Sequence, residues 1–193
     1  MTITYTLGNN LYINTTNRCT NDCSFCLRNL GDGVGDADTL WLEKEPTREE
    51  IIDDIKKRDL SKYSEIVFCG YGEPTERLED ILWIAGEIKK ITATPIRVDT
   101  NGHSDLLYNK NTAPMFNGLI DKISISLNAP TSKDYDALCK PIFGEKTFEG
   151  ILNFSKNIKE YVPDVTLSIV GGTTDEEACR EIANMLNIPL RVR

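Results

Sequence analysis

Arg18-Cys19-Thr20-Asn21-Asp22-Cys23-Ser24-Phe25-Cys26-Leu27-Arg28 carries three cysteines spaced Cys-x3-Cys-x2-Cys. It follows directly on Leu11 to Thr16, whose apolar and polar residues alternate as in a strand. Three thiolates leaving one strand end in a short loop can converge on a single inorganic centre. A [4Fe–4S] cluster normally takes four thiolates, so three leave one iron open, and an open position separates a catalytic metal site from a structural one. Zinc is the competing reading, but it wants four ligands, usually in two paired knuckles. The only histidine is His103, and Cys69, Cys139 and Cys179 are scattered singly. A disulfide framework is disfavoured, because 193 residues suffice for a core without staples. An iron–sulfur centre, a zinc-stabilised binding module and inert thiols stand as alternatives, in that order.

Outward from this loop, strand and helix signals alternate. Residues 2–7 and 10–16 read as two strands joined at Gly8-Asn9-Asn10, a turn that tolerates positive φ. Strands follow at Ile66-Val67-Phe68, Pro95 to Thr100, Lys122 to Leu127, Val165 to Val170 and Leu190 to Val192. Thr47 with Glu50 forms a capping box before Ile51, Ile52 and Ile55. Leu78, Ile81, Leu82, Ala85 and Ile88 recur at helical spacing. Phe148, Ile151, Leu152 and Ser155 mark a helix that stops before Pro163. Thr174 with Glu177 reads as a second capping box, opening a helix through Leu186.

This alternation predicts an α/β fold with a parallel sheet, expected as one domain over 1–193. Six units are too few to close an eight-stranded barrel, and a doubly wound sheet competes. The strand faces decide between them. Ser124, Ser126 and Asn128 oppose Ile123, Ile125 and Leu127, while Arg97 and Asp99 oppose Ile96 and Val98. Thr166 and Ser168 oppose Leu167 and Ile169, and Tyr12 and Asn14 oppose Leu11 and Ile13. A sheet covered by helices on both faces reads as continuous Val, Ile and Leu. One polar face points instead to an incomplete, splayed barrel with helices outside and a ligand-holding lumen.

A second chemical signal is Gly70-Tyr71-Gly72-Glu73-Pro74-Thr75, directly after the second strand of the alternation. Together with Cys-x3-Cys-x2-Cys one βα unit earlier, it resembles the radical S-adenosylmethionine (radical SAM) superfamily, with Tyr71 where the first of two paired glycines often sits. Leu7–Tyr12, Leu40–Glu43, Ser126–Pro130 and Leu190–Arg193 are similar to one short subgroup, the TatD-associated radical SAM proteins. The resemblance implies a partial (β/α)6 TIM-like barrel with an extra N-terminal strand and an open lateral face. It implies Cys19, Cys23 and Cys26 as ligands of a [4Fe–4S] cluster, with SAM on the open iron. The segment Gly70, Tyr71, Gly72 and Glu73 would hold the methionine amino group, the glycines letting carbonyls approach and the carboxylate accepting from the ammonium. Asn101, Ser126 and Asn128 would meet the ribose diol, with ordinary turn capping as the plainer reading. Gly171 with Gly172 would admit the adenine edge, and Phe25 would pack on it or serve as a core phenylalanine.

The implied chemistry is reductive cleavage of SAM to methionine and a 5′-deoxyadenosyl radical, which abstracts hydrogen from a substrate. A low-potential electron donor, flavodoxin- or ferredoxin-like, is implied as partner. A glycyl-radical-enzyme activase is the runner-up within the superfamily. The unclosed sheet suggests a large substrate, a peptide, protein or nucleotide, and residues 29–38 suggest a movable lid within a cluster and glycine-rich loop over 17–46.

Thirty acidic against 22 basic residues, net −8, argue against broad nucleic-acid binding. The apolar runs are too short to span a membrane, and Met1 to Tyr5 lacks the charged and apolar regions of a signal peptide. Six cysteines without a secretion signal fit a reducing, cytoplasmic setting. His103 follows a turn and reads as a surface residue, and Cys69 and Cys179 as core. Cys139 falls in a loop after the Lys122–Leu127 strand, where a role facing substrate and an inert one are both open. Trp41 reads as packing on the barrel. Arg191 and Arg193 share a strand face, and two readings stand open: one of them enters the lumen to pair with the SAM carboxylate or a substrate acid, or both are solvated terminal charges.

Overall fold

The computed structural model describes every residue except Leu30 and Asp32, so the part of the glycine-rich reading that falls on Asp32 lies outside the described residues. The elements, in chain order, are β1 Thr4–Leu7, β2 Asn10–Ile13, α1 Arg48–Ile55, β3 Glu65–Phe68, α2 Leu78–Lys89, β4 Ile96–Thr100 and α3 Ser104–Tyr108. They continue with β5 Lys122–Ser126, α4 Ser132–Cys139, α5 Lys146–Ile158, β6 Asp164–Ile169, α6 Glu176–Leu186 and β7 Leu190–Val192. The strands form one seven-stranded sheet in the order β1 to β7. β1 pairs antiparallel to β2, and every later pair is parallel. β1 and β7 stand at opposite edges, so the sheet is a partial barrel with an open side.

The register aligns the alternation read from the sequence. Asp99 pairs with Ser124, Ser124 with Thr166, Ser126 with Ser168, and Ser168 with Arg191, which places these residues on one inner face. Leu11, Ile13, Ile66, Phe68, Ile96, Val98, Ile123, Ile125, Leu167 and Ile169 lie on the other, buried with the apolar faces of α1, α2, α5 and α6. Burying those faces outside the sheet leaves its inside to polar groups, as the lack of continuous apolar strands requires.

Much of the inner face is already occupied. At its amino-terminal end Arg97 pairs with Glu65 at 2.7 Å and lies 2.9 Å from Asp99, while Lys122 reaches Glu65 at 2.7 Å. Over β1 and β2, Tyr5 stacks on Tyr12 at 5.1 Å, and both are covered by Val34, Ala37, Leu40 and Tyr71. The expected lid is therefore pinned along its second half. Asp36 donates its N–H to Thr6 C=O at 3.1 Å, Asn14 Nδ2 donates to Leu40 C=O at 2.7 Å, and Asn17 Nδ2 donates to Leu42 C=O at 2.8 Å. Trp41 stays 40% exposed, edge-on to Tyr71 at 5.2 Å, so it packs on the loop's aromatic cluster and not into the barrel core.

The Thr47–Glu50 capping box is present as read, with both reciprocal bonds formed. The second box is shifted: Asp175, not Thr174, caps α6 by accepting from Ala178 N–H at 3.0 Å. The strand expected over 10–16 ends at Ile13, because Asn14, Thr15 and Thr16 leave the ladder to anchor loops.

α5 buries Phe154 completely, against Phe116 with ring centroids 6.0 Å apart. Phe154→Ala is expected to cost about 3–5 kcal/mol in denaturant unfolding, against less than about 0.5 kcal/mol for Met185→Ala on the exposed face of α6.

Candidate functional site

The cysteine loop leaves β2 and is locked where it crosses the segment after β3. A Cβ on Gly72 would lie 2.3 Å from Thr16 C=O and 2.6 Å from Arg18 C=O. One on Gly70 would lie 2.1 Å from Asn14 Oδ1. These glycines make room for the chain's own loop stem, a reason the sequence reading, which assigned them to a ligand, did not anticipate. Glu73 N–H then donates to Arg18 C=O at 2.8 Å and fastens the two segments.

The Glu73 side chain is only 4% exposed and its oxygens are committed. Oε1 accepts from Thr75 N–H at 3.0 Å, Thr75 Oγ1 at 2.7 Å and Thr100 Oγ1 at 2.7 Å, and Oε2 accepts from Asn101 N–H at 2.7 Å. Burial pushes this carboxyl up from its ordinary range, and the four donors pull it back. The group joins the ends of β3 and β4.

From Asn101 the network runs into the cysteine loop. Asn101 Nδ2 donates to Thr20 Oγ1 at 2.8 Å and lies 3.9 Å from Cys19 Sγ, which also accepts from Asn21 N–H at 3.4 Å. Thr20 Oγ1 is 2.8 Å from His103 Nδ1, and His103 Nε2 is 3.0 Å from the Tyr135 hydroxyl. Asn21 Nδ2 donates to that hydroxyl at 2.9 Å. His103 is therefore not a surface residue: it is 1% exposed, and burial pulls its pKa down to about 3.

The loop's far side rests on α4. Asp22 N–H donates to Cys139 C=O at 2.9 Å and Ser24 N–H to Leu138 C=O at 3.1 Å, satisfying carbonyls that a helix end leaves without intrahelical partners. Arg28 pairs with Asp22 at 3.0 Å. Cys139 closes α4 and is fully buried, not part of a loop. Tyr135, His103 and Thr20 are the positions of this network that the sequence reading missed. The Thr131-x-x-Asp134 start of α4 was a usable signal, since Thr131 Oγ1 caps Asp134 N–H at 3.1 Å.

The remaining expected positions spread along the carboxyl ends of the strands. Phe25 is half-buried and packs against the main core. Tyr71 is buried, its hydroxyl donating to Gly31 C=O at 2.6 Å. Ser126 Oγ accepts from Arg193 at 3.1 Å, and Gly171 N–H donates to Arg193 C=O at 3.0 Å, so these two face the β7 edge. Asn128 adopts φ 56° and donates through Nδ2 to Cys139 Sγ at 3.6 Å. Its Oδ1 and the Ser168 hydroxyl are buried without partners among the described residues.

Among the described residues no three His, Cys, Asp or Glu side chains already stand together as a metal site, and what suits an iron–sulfur cluster with a polar ligand beside it is the donor set. Three thiols project from one anchored loop, the Cys19 sulfur receives N–H groups, and two buried oxygens nearby await hydrogen bonds. Burial pushes the Cys19 thiol up to about 12, helped by Glu73, so metal must displace its proton. A cleft of about 380 Å³ between α4 and Thr173–Asp175 adjoins this region at Leu138, but contains none of the three cysteines.

Two outcomes test the network. Glu73→Gln should lower stability by about 1–3 kcal/mol, because its amide turns a donor toward groups that need an acceptor. Chemical unfolding measures this, and an unchanged midpoint would refute the role. The His103 ring, the chain's only one, should remain neutral from pH 8 to 4.5 in a ring-nitrogen NMR titration of untagged protein. Its folded pKa lies below the unfolded value near 6.5, so its contribution is complete above that pH and is lost as pH falls. About 2 kcal/mol should be gone by pH 5, a slope that His103→Gln removes.

A family model described as the Radical SAM superfamily matches residues 13–186. No curated protein matches the chain. Among solved structures, one of TYW1 with a lysine–pyruvate adduct bound aligns with TM-score 0.65 and 16% identity, over 96% of this chain and 65% of that one. Native anSMEcpe with bound AdoMet aligns with TM-score 0.64 and 16% identity, over 94% and 50%. HydG, a maturase of the FeFe hydrogenase, aligns with TM-score 0.62 and 17% identity, over 95% and 41%. The chain thus spans between about two-fifths and two-thirds of these relatives' lengths, and the structural likeness establishes the partial-barrel fold. Among the described residues no helix is long and apolar enough to cross a membrane. With β3 to β6 and all the helices from α1 to α6 inside the matched span, the chain belongs to the radical SAM superfamily, whose members use a [4Fe–4S] cluster and S-adenosylmethionine.

Proposed function

We propose that the chain is a radical SAM enzyme in which Cys19, Cys23 and Cys26 hold three irons of a [4Fe–4S] cluster and SAM binds the fourth. The observation that carries this reading is the three-thiol loop, clamped between the β3 and β4 ends on one side and α4 on the other. Held by Cys19, Cys23 and Cys26, such a cluster would supply the one electron, drawn from an external low-potential donor, for reductive cleavage of the SAM S–C5′ bond, giving methionine and a 5′-deoxyadenosyl radical able to take a hydrogen atom from substrate.

The chain's own contribution is to bind, orient and shield. Arg18, Thr20 and Asn21 fix the loop's backbone through backbone and side-chain bonds, so that loading would turn the cysteine side chains inward on an anchored loop. Asn128 Oδ1 and the Ser168 hydroxyl offer buried polar partners to the nucleoside, with Ser126 beside them. The backbone of Gly70–Gly72 takes the methionine end, and Gly171 and Phe25 border the adenine. Glu73 acts on this site only by holding Asn101 and the loop stem.

The substrate is read as large, a peptide, protein or nucleotide. Residues 34–41 fill the inner face over β1 and β2, so approach is from the β4–β7 side and the open edge. That side carries Asp99 and the exposed Arg191 on β7 and Arg193 just after it. A cytoplasmic flavodoxin- or ferredoxin-like donor completes the proposal, and the likeness of Ser126–Pro130 and Leu40–Glu43 favours the TatD-associated subgroup over an activase.

Anaerobic reconstitution should give about four irons and four sulfides per chain. Dithionite-reduced protein should then convert SAM to 5′-deoxyadenosine, and each of the three Cys→Ala variants should lose both. One zinc per chain without sulfide would refute the proposal in favour of a zinc-stabilised module.

A further inference from the structure

Resting on that reading of the site, we propose that Arg191 and Arg193 form an anion subsite that takes a phosphate of the substrate. Ser168 aligns with Arg191 in the β6–β7 register, so Arg191 shares the inner face of the sheet with Ser168. Leu190, one position earlier, packs against the main core on the other face. Arg193 continues the ladder, donating its N–H to Ile169 C=O at 2.9 Å and accepting from Gly171 N–H at 3.0 Å. Its side chain lies over the sheet: Nη2 donates to Ser126 Oγ at 3.1 Å, reaching across β6 to the end of β5. Both arginines therefore stand on the lumen side of the open edge, beside the residues proposed for the nucleoside.

What separates these arginines from the cations deeper in the lumen is the lack of a carboxylate. Arg97 is paired with Glu65 and Asp99, and Lys122 with Glu65 and Asp164. Among the described residues Arg191 and Arg193 form no ion pair, and both are exposed. On a chain of net charge −8, two uncompensated cations give the approach side a local positive field that draws anions. Alternate strand positions lie about 7 Å apart, close enough for two guanidiniums to close on one group. A phosphate monoester carries about −1.5 to −2 charge near neutral pH, with three acceptor oxygens. It can occupy both guanidinium forks, whereas a single carboxylate occupies one. The bond to Ser126 uses one N–H of the Arg193 fork and leaves the others for the anion. A phosphate anchored here sets the rest of the substrate over the carboxyl ends of β5 and β6.

The test titrates reconstituted, SAM-loaded protein with inorganic phosphate at constant ionic strength and follows the arginine side-chain N–H signals by NMR. Saturable binding is expected. Arg191→Gln and Arg193→Gln should each weaken it about tenfold or more, as the loss of a charge-assisted contact requires, while SAM affinity stays unchanged. Uridine 5′-monophosphate and phosphoserine, titrated in turn, tell a nucleotide source of the phosphate from a phosphorylated side chain by which binds more tightly. A response that chloride reproduces, or that both glutamine variants leave intact, overturns the proposal. Tighter binding of acetate or succinate than of phosphate also overturns it, by making this a carboxylate subsite. A loss of SAM affinity in the variants does the same, by giving the arginines to the SAM carboxylate. Iron and sulfide are measured on the same samples: their absence sinks the cluster reading, whereas the anion subsite is judged on the arginine signals alone.

Discussion

A buried carboxylate with four donors is the constraint on which the site depends. Glu73 receives Thr75 N–H and hydroxyl, Thr100 hydroxyl and Asn101 N–H, all between 2.7 and 3.0 Å. An acceptor this buried is costly unless satisfied, and once satisfied it admits little other geometry. Fixing Asn101 fixes Thr20, Thr20 fixes His103, and His103 fixes Tyr135 on α4. The cysteine loop is thus the middle of a chain of hydrogen bonds from β3 to α4. It has the rigidity of the sheet without being part of it.

A neutral imidazole suits the centre of that chain. Thr20 Oγ1 and the Tyr135 hydroxyl each already receive an asparagine N–H. A ring with one proton donates to one hydroxyl and accepts from the other. A doubly protonated ring would have to donate to both, and bury a charge. Burial and hydrogen-bond pattern therefore favour the same protonation state, with both ring nitrogens engaged by Thr20 and Tyr135.

The strands were legible because their signal is local: Lys122–Leu127 alternates strictly, and side-chain parity alone sorts Ser124 and Ser126 from Ile123 and Ile125. The cysteine spacing and the Gly70–Pro74 segment were legible because spacing is written along the chain. The role of Glu73 was not, since what matters is which donors surround it, and Thr100 and Asn101 lie a βα unit away. His103 was misread for the same reason: a position after a turn says nothing about Thr20, 83 residues earlier, or Tyr135, 32 later. α4 was lost because only Tyr135 and Cys139 are buried in it. Its hydrophobic period is too thin to announce a helix, though its cap was visible.

Where local rules are broken without compensation inside the chain, a partner from outside is the economical explanation. Asn128 holds a left-handed backbone, which asparagine tolerates better than most residues but still at some cost. It also buries Oδ1 without a partner, beside an equally unpartnered Ser168 hydroxyl. Every other strained or buried polar group on the path from Glu73 to Tyr135 is paired within the protein, apart from Asn21 Oδ1 on the cysteine loop itself. Unpartnered atoms also lie elsewhere, at Asn14 Oδ1, Asp136 Oδ1 and Ser155 Oγ, while on the floor Arg97 Nε and Asp99 Oδ1 have only their ion pair with each other. What sets Asn21, Asn128 and Ser168 apart is place: the first lies in the cysteine loop and the other two at the carboxyl ends of β5 and β6, where a bound molecule could supply the hydrogen bonds that the chain does not.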